Sequence, residues 1–219
     1  MKQYVIFGDN AFAQRIYQYI SYEGIHKVLC FTNEERFISR NSIEDLNVVP
    51  FEQLSKRYDK STFEILICIG YTKMNQLRNQ IYTLCKDAGY NVGSWLSSRC
   101  LSYTNNIEEG NIIMPGVLIG PGSKLGICNI VESRVCISHD STLGNFNFIS
   151  SNVILGGYAS IHNRTFIGLN ATIKSGVSIA TLSLIGAAAN VITPTEAEGV
   201  YIGNPAKKVK NKKALSVKI

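Results

Sequence analysis

The sequence predicts a small α/β region built on a parallel sheet, followed by a left-handed parallel β-helix. Three observations carry this reading. Strand-length apolar runs alternate with helical patterns through the first hundred residues, and an aliphatic residue then recurs at every sixth position for 16 hexads. From Gly199 onward the chain abandons that period. The expected parts are 1–97, 98–198, and a cap with a basic tail at 199–219.

Tyr4-Val5-Ile6-Phe7 reads as a strand and Gly8-Asp9-Asn10 as a turn. Ala11 to Tyr22 reads as a helix, with Phe12, Ile16, Tyr17 and Ile20 on one face. A strand at Lys27 to Phe31, a helix at Phe51 to Tyr58, and the apolar strand Phe63 to Ile69 follow. A helix from Lys73 to Ala88 and a strand from Asn91 to Leu96 complete a Rossmann-like βαβ region.

The hexads begin at Leu101 and Ile107 and run in unbroken register to Ile185 and Val191. A six-residue period fits neither a helix nor an alternating strand. It fits a triangular coil whose sides are hexads and whose turns take 18 residues, with aliphatics stacked inward at ~4.8 Å per coil. Small residues four positions later, such as Asn111, Asn129 and Ala171, fit near the corners. Glycine after the aliphatic, as at Gly120, Gly144 and Gly156, is expected to ease the turns. Open ends need capping, a task for Gly199 to Val209, and flat repetitive faces favour a closed homo-oligomer, expected to be a homotrimer.

The hydrophobic content of 45% suits a folded core, and no apolar run approaches the ~20 residues that cross a bilayer, so no membrane insertion is expected. The opening residues reach Gly8 and Asp9 too early for a secretory signal, and the expected location is cytoplasmic. The net charge of +6 sits in the six lysines from Lys207 to Lys218, where no acid occurs, and the rest of the chain is balanced. With no interleaved aromatics, that tail reads as a solvated terminus and no nucleic-acid partner is expected. The six cysteines form no CxxC pair and read as reduced, mostly buried thiols.

The chain resembles the bacterial nucleotide-amino-sugar N-acetyltransferases and the related sialic acid O-acetyltransferase group called the NeuD family. The resemblance rests on Val5-Ile6-Phe7-Gly8, Ile67-Cys68-Ile69-Gly70, the hexads, and the ending Gly203-Asn204-Pro205-Ala206-Lys207. The stretch Ile137-Ser138-His139-Asp140-Ser141-Thr142-Leu143-Gly144 looks like that family's His-acid motif. The resemblance implies acetyl-CoA as co-substrate, bound between adjacent subunits, with His139 as general base and Asp140 as its orienting acid. It also implies that the N-terminal region holds the nucleotide of a nucleotide-linked amino sugar. Two positions depart from the pattern. Phe148 stands where many relatives carry a second histidine touching the thioester end of CoA, and Glu132 stands where asparagine is frequent.

Acyl transfer to an amine needs a base, a donor for the developing oxyanion and a dry pantetheine channel. Histidine, with an unperturbed pKa of ~6.5, suits the first task. Of the three histidines, His26 lies before a strand and His162 on a different side of the prism, so only His139 has an adjacent acid at a corner. Gly157, one coil beyond, offers a backbone N–H to the oxyanion, and Leu169 and Ala187 are expected along the channel. Gly8, Asp9 and Asn10 place a helix N-terminus where a diphosphate would bind, without the full GxGxxG pattern. Asn33, Gly70, Tyr71 and Glu132 are the further substrate candidates. No metal is expected, since a zinc hydrolyase on this scaffold needs three converging histidines. The rival functions are O-acetylation of a sugar hydroxyl and a non-catalytic binding or assembly role.

Overall fold

The computed structural model describes residues 1–217, so Lys218 lies outside the described residues. The first region consists of β1 (Gln3–Phe7), α1 (Ala11–Glu23), β2 (Lys27–Asn33), β3 (Ser42–Ile43), β4 (Leu46–Pro50), α2 (Leu54–Arg57), β5 (Glu64–Ile67) and α3 (Gln76–Asp87). The sheet order is β3-β4-β2-β1-β5, parallel throughout except for the β3–β4 hairpin at one edge. Strands this short show no period of their own, which is why the hairpin is absent from the sequence pattern. Asn10 caps α1 by accepting from the Ala13 N–H at 3.0 Å, and Gly24 closes it in the left-handed region, φ 65°.

Two elements differ from expectation. Helix α3 begins at Gln76 because Lys73, Met74 and Asn75 are all left-handed, with φ of 50°, 50° and 63°. That turn drives Met74 and Asn75 into buried positions, where the Asn75 amide donates to the Thr165 carbonyl at 2.9 Å. The run from Asn91 to Leu96 is divided between two sheets: Val92 bridges Ile65 of β5, while Trp95–Leu96 pairs with Ile112–Ile113 of the β-helix.

The β-helix has three faces, sheets of eight, six and four strands, whose strands pair at 18-residue offsets such as Ile130 with Phe148 and Cys136 with Ile154. The inward aliphatics, Ile113 through Val191, form one buried column. At one corner Asn111, Asn129, Asn147 and Thr165 are fully buried, and the side-chain oxygens of the three asparagines each accept a backbone N–H from the next coil at 2.8 to 3.0 Å.

The register is not continuous to Leu101. In the first coil Leu96 pairs with Ile113 and Ser102 with Ile119, offsets of 17, and only Ile107 to Leu125 restores 18. This coil is one residue short, so Leu101 turns outward and is 53% exposed. The glycines that follow the aliphatics also serve another purpose than the one expected. None of Gly120, Gly144 or Gly156 has positive φ; a β-carbon at any of them would strike the backbone or side chain of the next coil. The left-handed corners are held by other positions, some of them glycines (Gly110, Gly116, Gly122 and Gly176) and many of them larger residues, among them Arg134, Asp140, Asn152, Tyr158 and Asn170.

The outward side chains of the eight-stranded face are apolar: Trp95, Ile112, Ile130 and Phe148 share one buried cluster with Tyr4, Ile6, Ile16 and Phe31 of the first region. The two parts are thereby packed on a common core. Arg78 of α3 reinforces the junction. It is fully buried, and its guanidinium donates to the carbonyls of Ile69, Gly70, Cys128 and Asn147 and to the Asn75 side chain, all at 2.8 to 3.0 Å. Burial lowers its pKa to about 10.

The basic tail is structured. Gly199–Ile202 pairs parallel with Leu184–Ile185, and Lys207–Lys213 returns antiparallel along it as the outermost strand of the eight-stranded face. Its lysine side chains are exposed, Lys208 and Lys213 pairing with Glu196 and Glu198, and an edge lined with lysines resists further strand addition. All six cysteines are free; burial raises Cys30, Cys85 and Cys128 to about 12 and Cys100 to about 11, so these four are inert thiols at neutral pH.

Candidate active site

His139 and Asp140 lie at the corner between the six-stranded and four-stranded faces, after the strand Cys136–Ile137. Asp140 takes the left-handed corner conformation, φ 56°, and this turns its carboxylate back onto its neighbour. Asp140 Oδ2 lies 2.9 Å from His139 Nδ1. A carboxylate is acceptor-only, so Nδ1 carries a proton, and in the neutral imidazole Nε2 keeps its lone pair. Both side chains are about half exposed, at 54% and 46%.

Glycines clear the space on both sides. A β-carbon at Gly122, one coil before Asp140, would collide with its carboxylate, and one at Gly120 would stand 2.6 Å from the backbone nitrogen of His139. On the other side, a β-carbon at Gly157 would stand 2.6 Å from Nε2 and 2.8 Å from Cε1. The imidazole therefore rests on the Gly157 backbone, whose N–H has no intramolecular acceptor among the described residues. A base with a free lone pair, an orienting acid and an uncommitted N–H thus occupy one corner, the set needed for transfer of a proton and stabilisation of an oxyanion. Gly157→Ala is accordingly expected to displace the imidazole, lowering turnover by at least about tenfold while the melting temperature stays within a few degrees. Full activity in that variant would show that the close contact is not needed.

The other expected site residues gather elsewhere. Phe148, Leu169, Ala187, Tyr71 and Glu132 line a groove of about 480 Å³ at the corner between the eight-stranded and six-stranded faces. Phe148 is buried there, stacked on Phe166 at 5.6 Å and edge-on to Tyr71 at 4.9 Å, so it joins the two regions as well as walling the groove. Glu132 is only 8% exposed and is paired with Arg15 of α1. Leu169 is largely exposed at the groove rim. Within one chain this corner and the His139 corner flank opposite edges of the six-stranded face.

Gly8, Asp9, Asn10 and Asn33 meet at the carboxyl ends of β1 and β2, with Gly70 and Tyr71 after β5. Gly8 has φ 126°, and a β-carbon there would stand 2.9 Å from the Cys68 carbonyl. The Asp9 carboxylate is committed to Asn33, at 2.9 Å, and to Ser39, while Asn10 is committed to the helix cap. Gly70 accepts from Arg78, so it is partly occupied by the junction. His26 is held by the Lys2 N–H and the Tyr4 ring, with burial lowering its pKa, and His162 faces a separate polar groove, 3.2 Å from the Ser178 hydroxyl.

Arg15, Phe166 and Tyr158 were not singled out by the pattern. Phe166 and Tyr158 stand 18 residues after Phe148 and Asp140, an offset that finds them once the coil length is known. No local signal marks Arg15. Among the described residues no group of three or more His, Cys, Asp or Glu could hold a metal ion, and no helix is long and apolar enough to cross a membrane.

No protein-family model matches the sequence, and no curated protein matches it either. Solved structures do. The acetyltransferase domain of PglB from Neisseria gonorrhoeae superposes with a TM-score of 0.84 at 20% identity, covering 95% of this chain and 100% of that one. PerB from Caulobacter crescentus, solved with CoA and GDP-perosamine, gives 0.83 at 21% identity over 95% and 98% of the two chains. WeeI from Acinetobacter baumannii gives 0.59 at 17% identity over 95% and 100%. The chain shares their fold. The likeness runs through both regions, so the pairing of a small parallel-sheet region with a left-handed β-helix is common to all.

Proposed function

We propose that the protein is an acetyl-CoA-dependent acyltransferase that N-acetylates the amino group of a nucleotide-linked amino sugar, with His139 as general base. The observation that carries this is the His139–Asp140–Gly157 corner, where Nε2 is free beside an unpaired backbone N–H. Support comes from proteins of the same fold: PglB's acetyltransferase domain was solved with acetyl coenzyme A, and PerB with CoA and GDP-perosamine.

In this reading Nε2 accepts a proton from the sugar amine as its nitrogen attacks the thioester carbonyl. The Gly157 N–H donates to the oxyanion, and Asp140 stabilises the imidazolium. Collapse expels the CoA thiolate, which takes the proton back from His139, leaving an amide and a thiol. The turn at Gly8, with the α1 N-terminus behind it, receives the diphosphate, and Asn33, Gly70 and Tyr71 surround the rest of the nucleotide sugar. Its sugar enters the groove at Glu132 and Arg15. Leu169 and Ala187 line the pantetheine path and Phe148 closes its wall. In this reading the enzyme works in the cytoplasm, where it meets both substrates.

The groove and the base lie at opposite edges of the six-stranded face, and that face bears an outward column of Leu118, Cys136 and Ile154, the last 48% exposed. Packing this face between copies covers the column and brings one subunit's groove to another's His139; a closed homotrimer satisfies both. Incubation with acetyl-CoA and a panel of nucleotide-linked 3-amino and 4-amino sugars is expected to release CoA and yield an alkali-stable amide, from a particle three times 24.2 kDa by light scattering. An alkali-labile product would assign O-acetylation instead, and a monomer fully active at all concentrations would remove the shared site.

A further inference from the structure

Tyr158 stands next to the proposed base and no part of the mechanism uses it. It is 65% exposed, although it sits in a scaffold whose other aromatics are mostly packed away. It occupies the corner position one coil after Asp140, and its N–H donates to the His139 carbonyl at 3.1 Å, so the two residues are locked in register by the ladder itself. The rings meet edge to face, with centroids 5.2 Å apart and planes at 89°.

The imidazole is thus held on three sides. Gly157 supports the ring near Nε2, Asp140 holds Nδ1, and Tyr158 stands perpendicular to the ring plane. The first two contacts alone leave freedom. Asp140 and His139 are adjacent and both half exposed, so water competes for their hydrogen bond, and a glycine backbone offers a flat support without a wall. Rotation of the imidazole about its side-chain bonds would carry Nε2 away from the Gly157 N–H. An aromatic ring at a right angle is the contact that opposes that rotation. The backbone does not call for tyrosine: the corner is left-handed at Tyr158, φ 59°, as it is one coil before at Asp140 and one coil after at Gly176. The left-handed positions of the neighbouring corner carry asparagine, Asn152 and Asn170 at φ 61° and 58°, a residue better suited to that conformation.

We infer that Tyr158 is a positioning residue for the transfer step: its ring fixes the plane of His139 so that Nε2 stays aligned with the Gly157 N–H when the acceptor amine arrives. This rests on the acyltransferase reading above. The ring acts here and the hydroxyl does not, because the contact recorded is between ring planes and the hydroxyl makes no hydrogen bond among the described residues.

The test compares Tyr158→Asn with Tyr158→Phe. Asparagine suits the left-handed corner, so the fold is kept while the ring is removed, and phenylalanine keeps the ring alone. Tyr158→Asn is expected to lower kcat about three- to tenfold with the KM for acetyl-CoA and acceptor unchanged, and Tyr158→Phe to retain wild-type kcat. In ¹H–¹³C spectra of histidine-labelled protein, the His139 ring signals should lose a ring-current shift in Tyr158→Asn and keep it in Tyr158→Phe. An unchanged kcat in Tyr158→Asn, equal loss in both variants, or a rise in KM alone would overturn the inference. An inactive wild type whose His139 signals respond as described would instead sink the proposed reaction while leaving the ring contact in place.

Discussion

His139→Ala is expected to lower kcat by about 10² to 10⁴ while leaving the KM for acetyl-CoA near its wild-type value, since general-base assistance acts in the transition state and not on ground-state binding. The prediction rests on Nε2, the one ring nitrogen left free when Asp140 engages Nδ1. Removal of a corner side chain that is 54% exposed leaves the inward column untouched, so the melting temperature should be preserved. Asp140→Asn should cost less than a buried triad acid would, because water already screens a half-exposed pair. Steady-state rates with the best acceptor from the nucleotide-sugar panel decide the matter. Activity of His139→Ala within twofold of wild type would remove His139 from the reaction.

The second large effect concerns stability. Arg78→Met is expected to cost about 3–5 kcal/mol, because it leaves five acceptors in a buried site without their donor. The wild-type guanidinium satisfies four carbonyls and one amide oxygen in a region closed to water, and methionine fills part of the volume without restoring any donor. Two of those carbonyls, Cys128 and Asn147, belong to the β-helix and two, Ile69 and Gly70, to the loop after β5. The variant should therefore loosen the junction between the regions. Urea denaturation followed by tryptophan fluorescence is a direct measure, because Trp95, the single tryptophan, lies at that junction. A loss below about 1 kcal/mol would show that water replaces the guanidinium at no great cost.

Much of this was legible in the residues. The hexads named the β-helix, and the strand-and-helix alternation before them named the parallel sheet, because a packed repeat requires the same residue class at the same interval. His139 and Asp140 stood out as the one histidine-acid neighbour pair in the repeat. The outward residues also held a signal: Ile112, Ile130, Phe148 and Phe166 recur at 18 and are apolar, whereas Lys124, Thr142, Ser160 and Ser178 recur at 18 and are polar, which separates the covered face from the open one.

The one-residue slip at Leu101 was not legible, since Leu101 obeys the period that its backbone does not. Neither was the role of Arg78, which reads as an exposed helix residue although it shares a stripe with Ile81 and Cys85. Nor was the glycine pattern, whose purpose is room for the next coil and not a turn conformation.

The sequence by itself determined the periodic part of this protein: the coil length, the inward column, and which corner holds a histidine beside an acid. Those follow from spacing along one chain. Tertiary structure alone decided how the first region docks on the apolar face, where Arg78 is spent, and that the groove and His139 flank opposite edges of the six-stranded face. Such facts depend on contacts between residues up to 117 positions apart, as in the Arg15–Glu132 pair, and no local pattern encodes a partner at that distance.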